Sequence, residues 1–187
     1  MKKLFANVKF LIVAFIFVLS FSSYAQSHKR AFSLNGGIVQ NGFAGMATLD
    51  YKMNEFDYLQ FSIHGAFSTL DNEGVDIPVN LYALNVGYFY DILRKNDRKF
   101  DISIGGGLTG GFESINGGDT VLDNGTELSE DITLGNPVVG LYAGIDLDVF
   151  LKPTIAINLK ANETFHFNSE VGALTPFVGL GVKLILF

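Results

Sequence analysis

The segment from Phe100 to Phe112, FDISIGGGLTGGF, constrains the fold of this chain more than any other. Read in steps of two, apolar residues and glycine fall on one face, and polar residues and glycine fall on the other. A strand keeps these two sets apart, whereas a helix would mix them. With a rise of about 3.3 Å per residue and a tilt near 40°, the two terminal phenylalanines stand about 30 Å apart along a membrane normal. That is close to the roughly 25 Å apolar band of a transmembrane barrel.

The first 25 residues have the parts of a secretory signal peptide. Three lysines precede an apolar run over residues 10–21, and Ser23-Tyr24-Ala25 places small residues at both cleavage-specifying positions. A membrane-anchor helix is the alternative, but this run is shorter than the roughly twenty residues that span a bilayer. We predict cleavage after Ala25 and a single barrel domain over residues 26–187. The absence of cysteine excludes disulfides, cysteine catalysis and a lipid-modified cysteine.

The same alternation recurs along the chain and predicts eight strands. They are Ala31–Gln40, Gly45–Met53, Asp57–Ser68, Pro78–Leu93, Phe100–Phe112, Pro137–Leu151, Thr154–Phe167 and a last strand after Leu174. Polar loops are predicted at Thr69–Ile77 and Glu113–Asn136, and short turns at the other end of the sheet. This asymmetry is typical of outer-membrane barrels. Glu163 falls on the apolar face, which either a bulge or an early exit from the membrane would explain.

Alternation alone does not say which face of the sheet is inside. A soluble eight-stranded barrel, such as a lipocalin, keeps its apolar face inside and is the alternative. Aromatic residues lie near both ends of the apolar face, as in the interfacial girdles of membrane barrels. These residues are Phe32, Tyr88, Tyr90 and Phe100 at one end and Phe67, Tyr82, Phe112 and Phe165 at the other. We therefore predict an all-β protein, an eight-stranded antiparallel transmembrane up-and-down β-barrel in contact with outer-membrane lipid, with both termini on the periplasmic side.

The polar face would line a lumen just wide enough for side chains. The predicted polar network consists of Asp50, Lys52, Gln60, His64, Asp101, Asp146, Asp148, Lys160 and Lys183. Asp146 or Asp148 is expected to pair with Lys160 on the neighbouring strand. His64 is interpreted as hydrogen-bonded filling rather than as a ligand or a base. A lumen filled in this way is plugged.

The predicted loop Glu113–Asn136 is acidic and contains no basic residue. Its carboxylates are interpreted as a solvated surface that contacts a partner, and they are Glu113, Asp119, Asp123, Glu127, Glu130 and Asp131. Calcium binding is the alternative, but the regular alternate-position spacing of a calcium loop is missing. The net charge of −6 and the lack of a basic patch argue against nucleic-acid binding.

His166, Ser169 and Glu170 invite comparison with outer-membrane lipid hydrolases. Catalysis would require the serine and histidine within hydrogen-bond reach, with a carboxylate to orient the histidine. Nothing in their spacing enforces this arrangement. We therefore predict no enzymatic activity, no cofactor, no metal site and no small-molecule substrate.

Four segments carry a resemblance to a known family: PVNLYALNVGYFYDIL, RKFDISIGGGLTGGFESINGG, LDNGTEL and FVGLGVKLILF. From Ile77 onward the chain resembles the conjugal transfer protein TraO family of Bacteroidetes conjugative transposons. The resemblance implies a secreted component of a mating apparatus, with other conjugation proteins as partners. We predict a non-enzymatic barrel that acts as an anchor or as a loop-mediated contact. A stand-alone barrel for adhesion or envelope integrity is the alternative, and a lipid-modifying barrel enzyme is the third possibility.

Overall fold

The computed structural model describes residues 30–72, 75–94, 99–122, 125–128, 134–169 and 172–186. The predicted signal peptide lies outside these residues. Among the helices of the described residues, none is both long enough and apolar enough to cross a membrane. Strands make up most of the described chain.

Eight antiparallel strands form one closed sheet in which consecutive strands pair and β1 pairs with β8. The strands are β1 Arg30–Val39, β2 Gly42–Lys52, β3 Asp57–Asn72, β4 Val75–Arg94, β5 Phe100–Ile115, β6 Gly135–Lys152, β7 Ile155–His166 and β8 Leu174–Leu186. This confirms the predicted fold class. A closed sheet has no edge, so the backbone amides of the wall can pair within the sheet, as a membrane interior requires.

The stagger of the sheet shows that the strands are tilted. Following paired residues around the wall from Phe32 leads to Leu174 of β8, whereas Phe32 itself pairs with Leu184. This offset of ten residues is the shear of the barrel. In an eight-stranded barrel it corresponds to a tilt of about 40°. Strands of 10 to 20 residues are long enough to cross the apolar band at this tilt.

The outer surface of the wall is apolar, and much of the inner surface is polar. Leu34, Ile63 and Leu108 point outward and are each more than half exposed to solvent, whereas Asp146 and Asn158 point inward and are fully buried. A soluble barrel would have the reverse arrangement. The outer surface is therefore suited to lipid.

The two ends of the barrel differ. The short-turn end holds the turns at residues 53–56 and 153–154, the start of β1 and the end of β8. The opposite, long-loop end holds the connection between β5 and β6. Outward aromatic rings are packed together here: the ring centroid of Phe67 lies 5.4 Å from that of Phe43 and 6.0 Å from that of Tyr82. These contacts form part of a girdle of aromatic residues at the long-loop edge of the apolar band.

The prediction of a polar loop over Thr69–Ile77 is wrong, because β3 continues to Asn72 and β4 begins at Val75. The parity of the apolar residues reverses in this region. Leu70 and Ile77 point inward, while Asp71 and Asp76 point outward and are exposed. Such a reversal is expected where a strand leaves lipid and its outer face meets water. The sequence analysis assumed that apolar residues stay on one face of a strand, so it missed these extensions of β3 and β4.

Two further details differ from the sequence-based expectations. β5 extends to Ile115, so Glu113 belongs to the strand and not to the loop; it points into the barrel and is only 3% exposed. Glu163 faces outward without a bulge, since the β7–β8 register runs unshifted from Ile155 to Phe165. Phe165 is outward and apolar, so the apolar face also continues beyond Glu163. Neither a bulge nor an early exit explains this carboxylate.

Candidate functional site

An ion pair without access to solvent lies inside the barrel. Lys160 Nζ on β7 is 2.5 Å from Asp146 Oδ2 on β6, and the two side chains are 1% and 0% exposed. The pairing follows from the sheet register, in which Asp146 lies directly opposite Lys160. Gln60 Nε2 donates to the same carboxylate oxygen at 3.0 Å. Lys160 Nζ also lies 5.9 Å from the centre of the Phe89 ring, within cation–π range.

Lys183 joins carboxylates from two strands that are not neighbours. Its Nζ atom lies 2.8 Å from Asp50 Oδ2 on β2 and 2.7 Å from Asp148 Oδ2 on β6. Asn158 Nδ2 donates to Asp148 Oδ1 at 2.6 Å, and Asn35 Nδ2 donates to Asn158 Oδ1 at 2.8 Å. Gln60 Nε2 links this group to the first ion pair, because it also donates to Asp50 Oδ1 at 3.2 Å. The resulting network ties together six of the eight strands.

A second cluster lies nearer the short-turn end and contains a residue that the sequence analysis missed. Lys52 Nζ is 2.6 Å from Asp91 Oδ2, and the lysine side chain is 25% exposed. Ser103 Oγ donates to Asp91 Oδ1 at 2.7 Å. Asp101 is 6% exposed and lines the same part of the lumen. Asp91 could have been found from the alternation of β4, since it lies two residues beyond the inward Phe89.

Aromatic and apolar side chains fill much of the remaining lumen. Tyr58 stacks on Phe89 with ring centroids 5.6 Å apart, and Tyr142 completes this cluster. A second cluster lies toward the long-loop end and includes Met46 and Phe177. Two cavities between lumen-lining residues measure about 50 and 70 Å³, and each has room for a few water molecules at most. The described lumen is therefore a packed core and not a channel.

The histidines and the loop serine do not assemble a hydrolase site within the described residues. Ser169 Oγ donates to Glu113 Oε2 at 2.6 Å, so a carboxylate and not a histidine orients the serine. Neither ring nitrogen of His166 makes a hydrogen bond to a described residue. His64 is 5% exposed and packs edge-on against Phe177, with ring centroids 5.3 Å apart. Glu170 lies outside the described residues.

At the long-loop end, a folded projection extends beyond the girdle of aromatic residues. It comprises the ends of β3 and β4 (residues 69–72 and 75–79) and residues 115–122 and 125–128. Its centre is an apolar cluster of Ile77, Val79, Ile115 and Leu122, against which Leu70, Val75 and Leu128 pack. Backbone hydrogen bonds close the segment on itself, with Leu128 N donating to Thr120 O at 2.8 Å and Leu122 N to Thr126 O at 2.9 Å. The acidic connection is therefore ordered where the structure describes it.

The sequence of the projection explains its turns. Asn116 Nδ2 donates to Asp119 O at 2.8 Å and to Val121 O at 2.9 Å, which holds a single 3₁₀ turn over Asn116–Gly118. Gly117 and Gly118 have φ angles of 64° and 97°, values that favour glycine. The turn leads into an isolated bridge between Val121 and Glu127.

Exposed carboxylates decorate the projection: Asp71, Asp76, Asp119 and Glu127. The sequence analysis named Asp119 and Glu127 as contact residues but not Asp71 and Asp76, which it placed in the predicted polar loop Thr69–Ile77. Of the other predicted contact residues, Glu113 is buried in the lumen, and Asp123, Glu130 and Asp131 lie outside the described residues. No group of three His, Asp or Glu side chains suited to a metal ion occurs in the part of the chain that the structure describes.

Solved structures of bacterial outer-membrane barrels resemble this fold. A major outer membrane protein from Thermus thermophilus superposes with a TM-score of 0.62, 11% identity, and coverage of 86% of this chain and 100% of that chain. Neisserial surface protein A superposes with a TM-score of 0.56, 13% identity, and coverage of 84% and 95%. Ail, the attachment invasion locus protein of Yersinia pestis, superposes with a TM-score of 0.55, 12% identity, and coverage of 86% of this chain and 100% of that chain. At these identities the likeness concerns the fold alone.

Sequence comparison identifies the family. No curated protein sequence matches the chain significantly. The family model described as conjugative transposon protein TraO matches residues 28–186, which covers all eight strands. The match confirms the resemblance carried by the strand motifs and extends it over the region before Ile77. The chain therefore belongs to the conjugative transposon protein TraO family.

Proposed function

We propose that this protein is a non-enzymatic outer-membrane component of a mating apparatus, in which the barrel is an anchor and the projection contacts a partner protein. The observation that carries the proposal is the family match over residues 28–186. The packed lumen supports an anchor and argues against a conduit, since its described cavities of about 50 and 70 Å³ are far too small for a DNA strand.

In this proposal the signal peptide (residues 1–25) delivers the chain to the periplasm, and the barrel inserts with both termini on that side. The short turns support this orientation, because outer-membrane barrels place short turns in the periplasm and longer connections outside. The projection at the long-loop end then faces the cell exterior. There it is available to a component of the apparatus or to the surface of a second cell.

The projection is suited to binding a basic partner. Its four described carboxylates, Asp71, Asp76, Asp119 and Glu127, are exposed. Its apolar cluster and backbone hydrogen bonds hold them in place before binding. A pre-ordered segment loses less conformational entropy on association than a flexible loop. A partner surface with lysine or arginine residues would complement this charge.

The test begins with conjugative transfer from a donor that lacks the gene, with and without complementation. We expect transfer to be lost and then restored. The second step complements with the variant D71N/D76N/D119N/E127Q, for which we expect at least a tenfold loss of transfer. The matched control is T120A/T126A, which changes two neighbouring exposed side chains of the same segment without changing charge. Heat-dependent gel mobility checks that each variant forms a barrel. A carboxylate variant that inserts normally and transfers at the wild-type rate would contradict the contact.

The alternative is a stand-alone barrel for adhesion or envelope integrity. The fold likeness to Ail, whose structure was determined with the heparin analogue sucrose octasulfate, keeps this alternative open. The acidic projection argues against binding a sulfated polysaccharide, since both surfaces would be negative. Unchanged transfer from the deletion strain, together with altered cell attachment, would favour this alternative over the mating role.

A further inference from the structure

Glu163 is a carboxylate on the apolar outer surface of the wall. The outward side chains of β7 are, in order, Ile157, Leu159, Ala161, Glu163 and Phe165. With about 3.3 Å per residue and a tilt near 40°, Glu163 lies about 5 Å nearer the short-turn end than Phe165, measured along the barrel axis. Phe165 belongs to the outward aromatic residues of the long-loop end and packs edge-on against Phe167, with ring centroids 5.5 Å apart. Glu163 therefore lies inside the apolar band and not at its edge.

Nothing in the described chain neutralises this carboxylate. Glu163 has no hydrogen bond or ion pair with a described residue, and its paired neighbours are Ala143 on β6 and Pro176 on β8. Four other strand carboxylates point into the lumen and have a lysine Nζ within 2.8 Å: Asp50, Asp91, Asp146 and Asp148. Charge on the lipid face destabilises a barrel increasingly with depth, and ionisable groups inside membranes normally face a partner. Glu163 is thus an exception that the chain itself does not account for.

The wall around Glu163 is recessed. Small residues from three adjacent strands (Gly105 on β5, Ala143 and Gly144 on β6, and Ala161 on β7) line a depression that includes Glu163. Larger side chains, including Tyr88 and those of Ile104, Ile145 and Val178, surround it. Small residues allow a second backbone to approach closely inside a membrane, where van der Waals packing and polar contacts drive association. The depression and the carboxylate therefore form one surface.

The charge and its depth decide what occupies this surface. A symmetric pair of copies would place one Glu163 against the other, which joins like charges. All copies insert into the membrane in the same orientation. A residue of one copy can therefore contact only residues that lie at the same depth in another copy. The basic residues of the described strands either lie in the lumen (Lys52, Lys160 and Lys183) or lie at the short-turn end (Arg30, Arg94 and Lys152). The described strands of a second copy therefore offer no lysine or arginine to Glu163. Lipid headgroups lie beyond Phe165, at the edge of the band.

We propose that the depression on β5–β8 around Glu163 is an intramembrane docking surface for an apolar segment of another protein that presents one lysine or arginine. The inference rests on the proposed function, since it assigns a second contact within the same apparatus. It differs from the projection in depth and in chemistry, because the complementary cation here is shielded from water. An ion pair formed in that setting is lost when either partner is neutralised.

The first arm of the test measures docking without reference to transfer. A photo-crosslinking amino acid replaces Ala161 in the full-length protein in donor cells. The matched control replaces Ala47, an outward alanine of β2 on another part of the wall. We expect a crosslink from position 161 to another protein, identified by peptide mass spectrometry at an apolar segment with a lysine or arginine. We expect it to be absent from position 47 and at least tenfold weaker when E163Q is combined with it. A product of twice the protein's mass, a lipid adduct alone, or a crosslink insensitive to E163Q would overturn the proposal.

The second arm uses a charge exchange. We expect E163Q to insert at least as well as the wild type, because the isolated carboxylate does not stabilise the barrel, and E163K to insert somewhat less well, because lysine on the lipid face is costlier than glutamate. Heat-dependent gel mobility measures the inserted amount of each variant, and at equal inserted amounts both should lower transfer at least tenfold. Replacing the crosslinked partner's basic residue with glutamate should restore transfer to E163K and not to the wild type. Failure of that exchange to restore transfer would overturn the ion pair. If deletion of the gene leaves transfer unchanged, the proposed function fails, while the crosslinking arm still decides whether the surface docks a partner.

Discussion

The ion pair between Lys160 and Asp146 gives the sharpest test of how the lumen is stabilised. Its two side chains are 1% and 0% exposed, and its Nζ–Oδ2 distance is 2.5 Å. In K160M, Asp146 keeps the hydrogen bond from Gln60 Nε2 at 3.0 Å but loses its nearest cation. Breaking a buried pair in this way costs about 3–5 kcal/mol, most of it from the charge left behind. Because Gln60 still solvates the carboxylate, we expect a loss near the lower end, about 3 kcal/mol.

The assay is reversible urea unfolding of the barrel in detergent micelles, followed by heat-dependent gel mobility. D146N should cost about as much as K160M, since it leaves Lys160 unpaired. The double variant K160M/D146N removes both charges and should be clearly less destabilised than the sum of the two single losses. K52M is the comparison variant: the Lys52 side chain is 25% exposed and that of Asp91 is 2% exposed. Asp91 keeps the hydrogen bond from Ser103 Oγ, and the exposed lysine gives water access to the pair, so we expect a smaller loss than for K160M. The reasoning would be refuted if K160M lost less than about 1 kcal/mol, or if the double variant equalled the sum of its parts.

Three further predictions concern the wall and the projection. A Cβ on Gly107 would come within 2.0 Å of the Val86 carbonyl oxygen, whereas a Cβ on Gly110 would meet nothing within 4 Å; we expect G107A to reduce the yield of heat-modifiable barrel sharply and G110A to leave it nearly unchanged. F67A removes two aromatic contacts at the long-loop rim and should lower the free energy of unfolding by about 1–3 kcal/mol in the same urea assay. L122D places a charge in the apolar cluster of the projection, so limited proteolysis should cut the projection faster while the barrel stays intact; equal cleavage rates would show that the cluster does not hold the segment.

The parts of this structure that follow from nearest neighbours in the sheet were predictable from the sequence. The alternation in FDISIGGGLTGGF assigns every residue of that strand to a face, because successive side chains point to opposite sides. The pairing of Asp146 with Lys160 was expected for the same reason, since the two residues lie on adjacent, hairpin-connected strands. Closure into a barrel followed from the number of strands and from the aromatic residues at both ends of the apolar face.

The parts that depend on distance across the lumen or on the membrane boundary were not predictable. The contacts of Lys183 with Asp50 and Asp148 require the shear of the barrel, which no local pattern reports. The extension of β3 and β4 was missed because apolar residues point inward, and no longer outward, beyond the girdle of aromatic residues, as Ile77 and Val79 show. Glu113 was assigned to a loop because no local pattern places an acidic residue inside the barrel at its long-loop end.

The bridging position of Lys183 has a consequence for how the barrel forms. A sheet made of β1 to β7 alone would present Asp50 and Asp148 without the ammonium group that lies 2.8 and 2.7 Å from them in the finished structure. That group arrives on β8, the strand whose pairing with β1 closes the seam. Pairing of β8 with β1 therefore both closes the sheet and brings the ammonium group of Lys183 beside Asp50 on β2. An unsealed sheet is penalised twice in a bilayer, by its open backbone edges and by its uncompensated charge. Lys183 therefore makes partially assembled forms less favourable and closure of the barrel more cooperative.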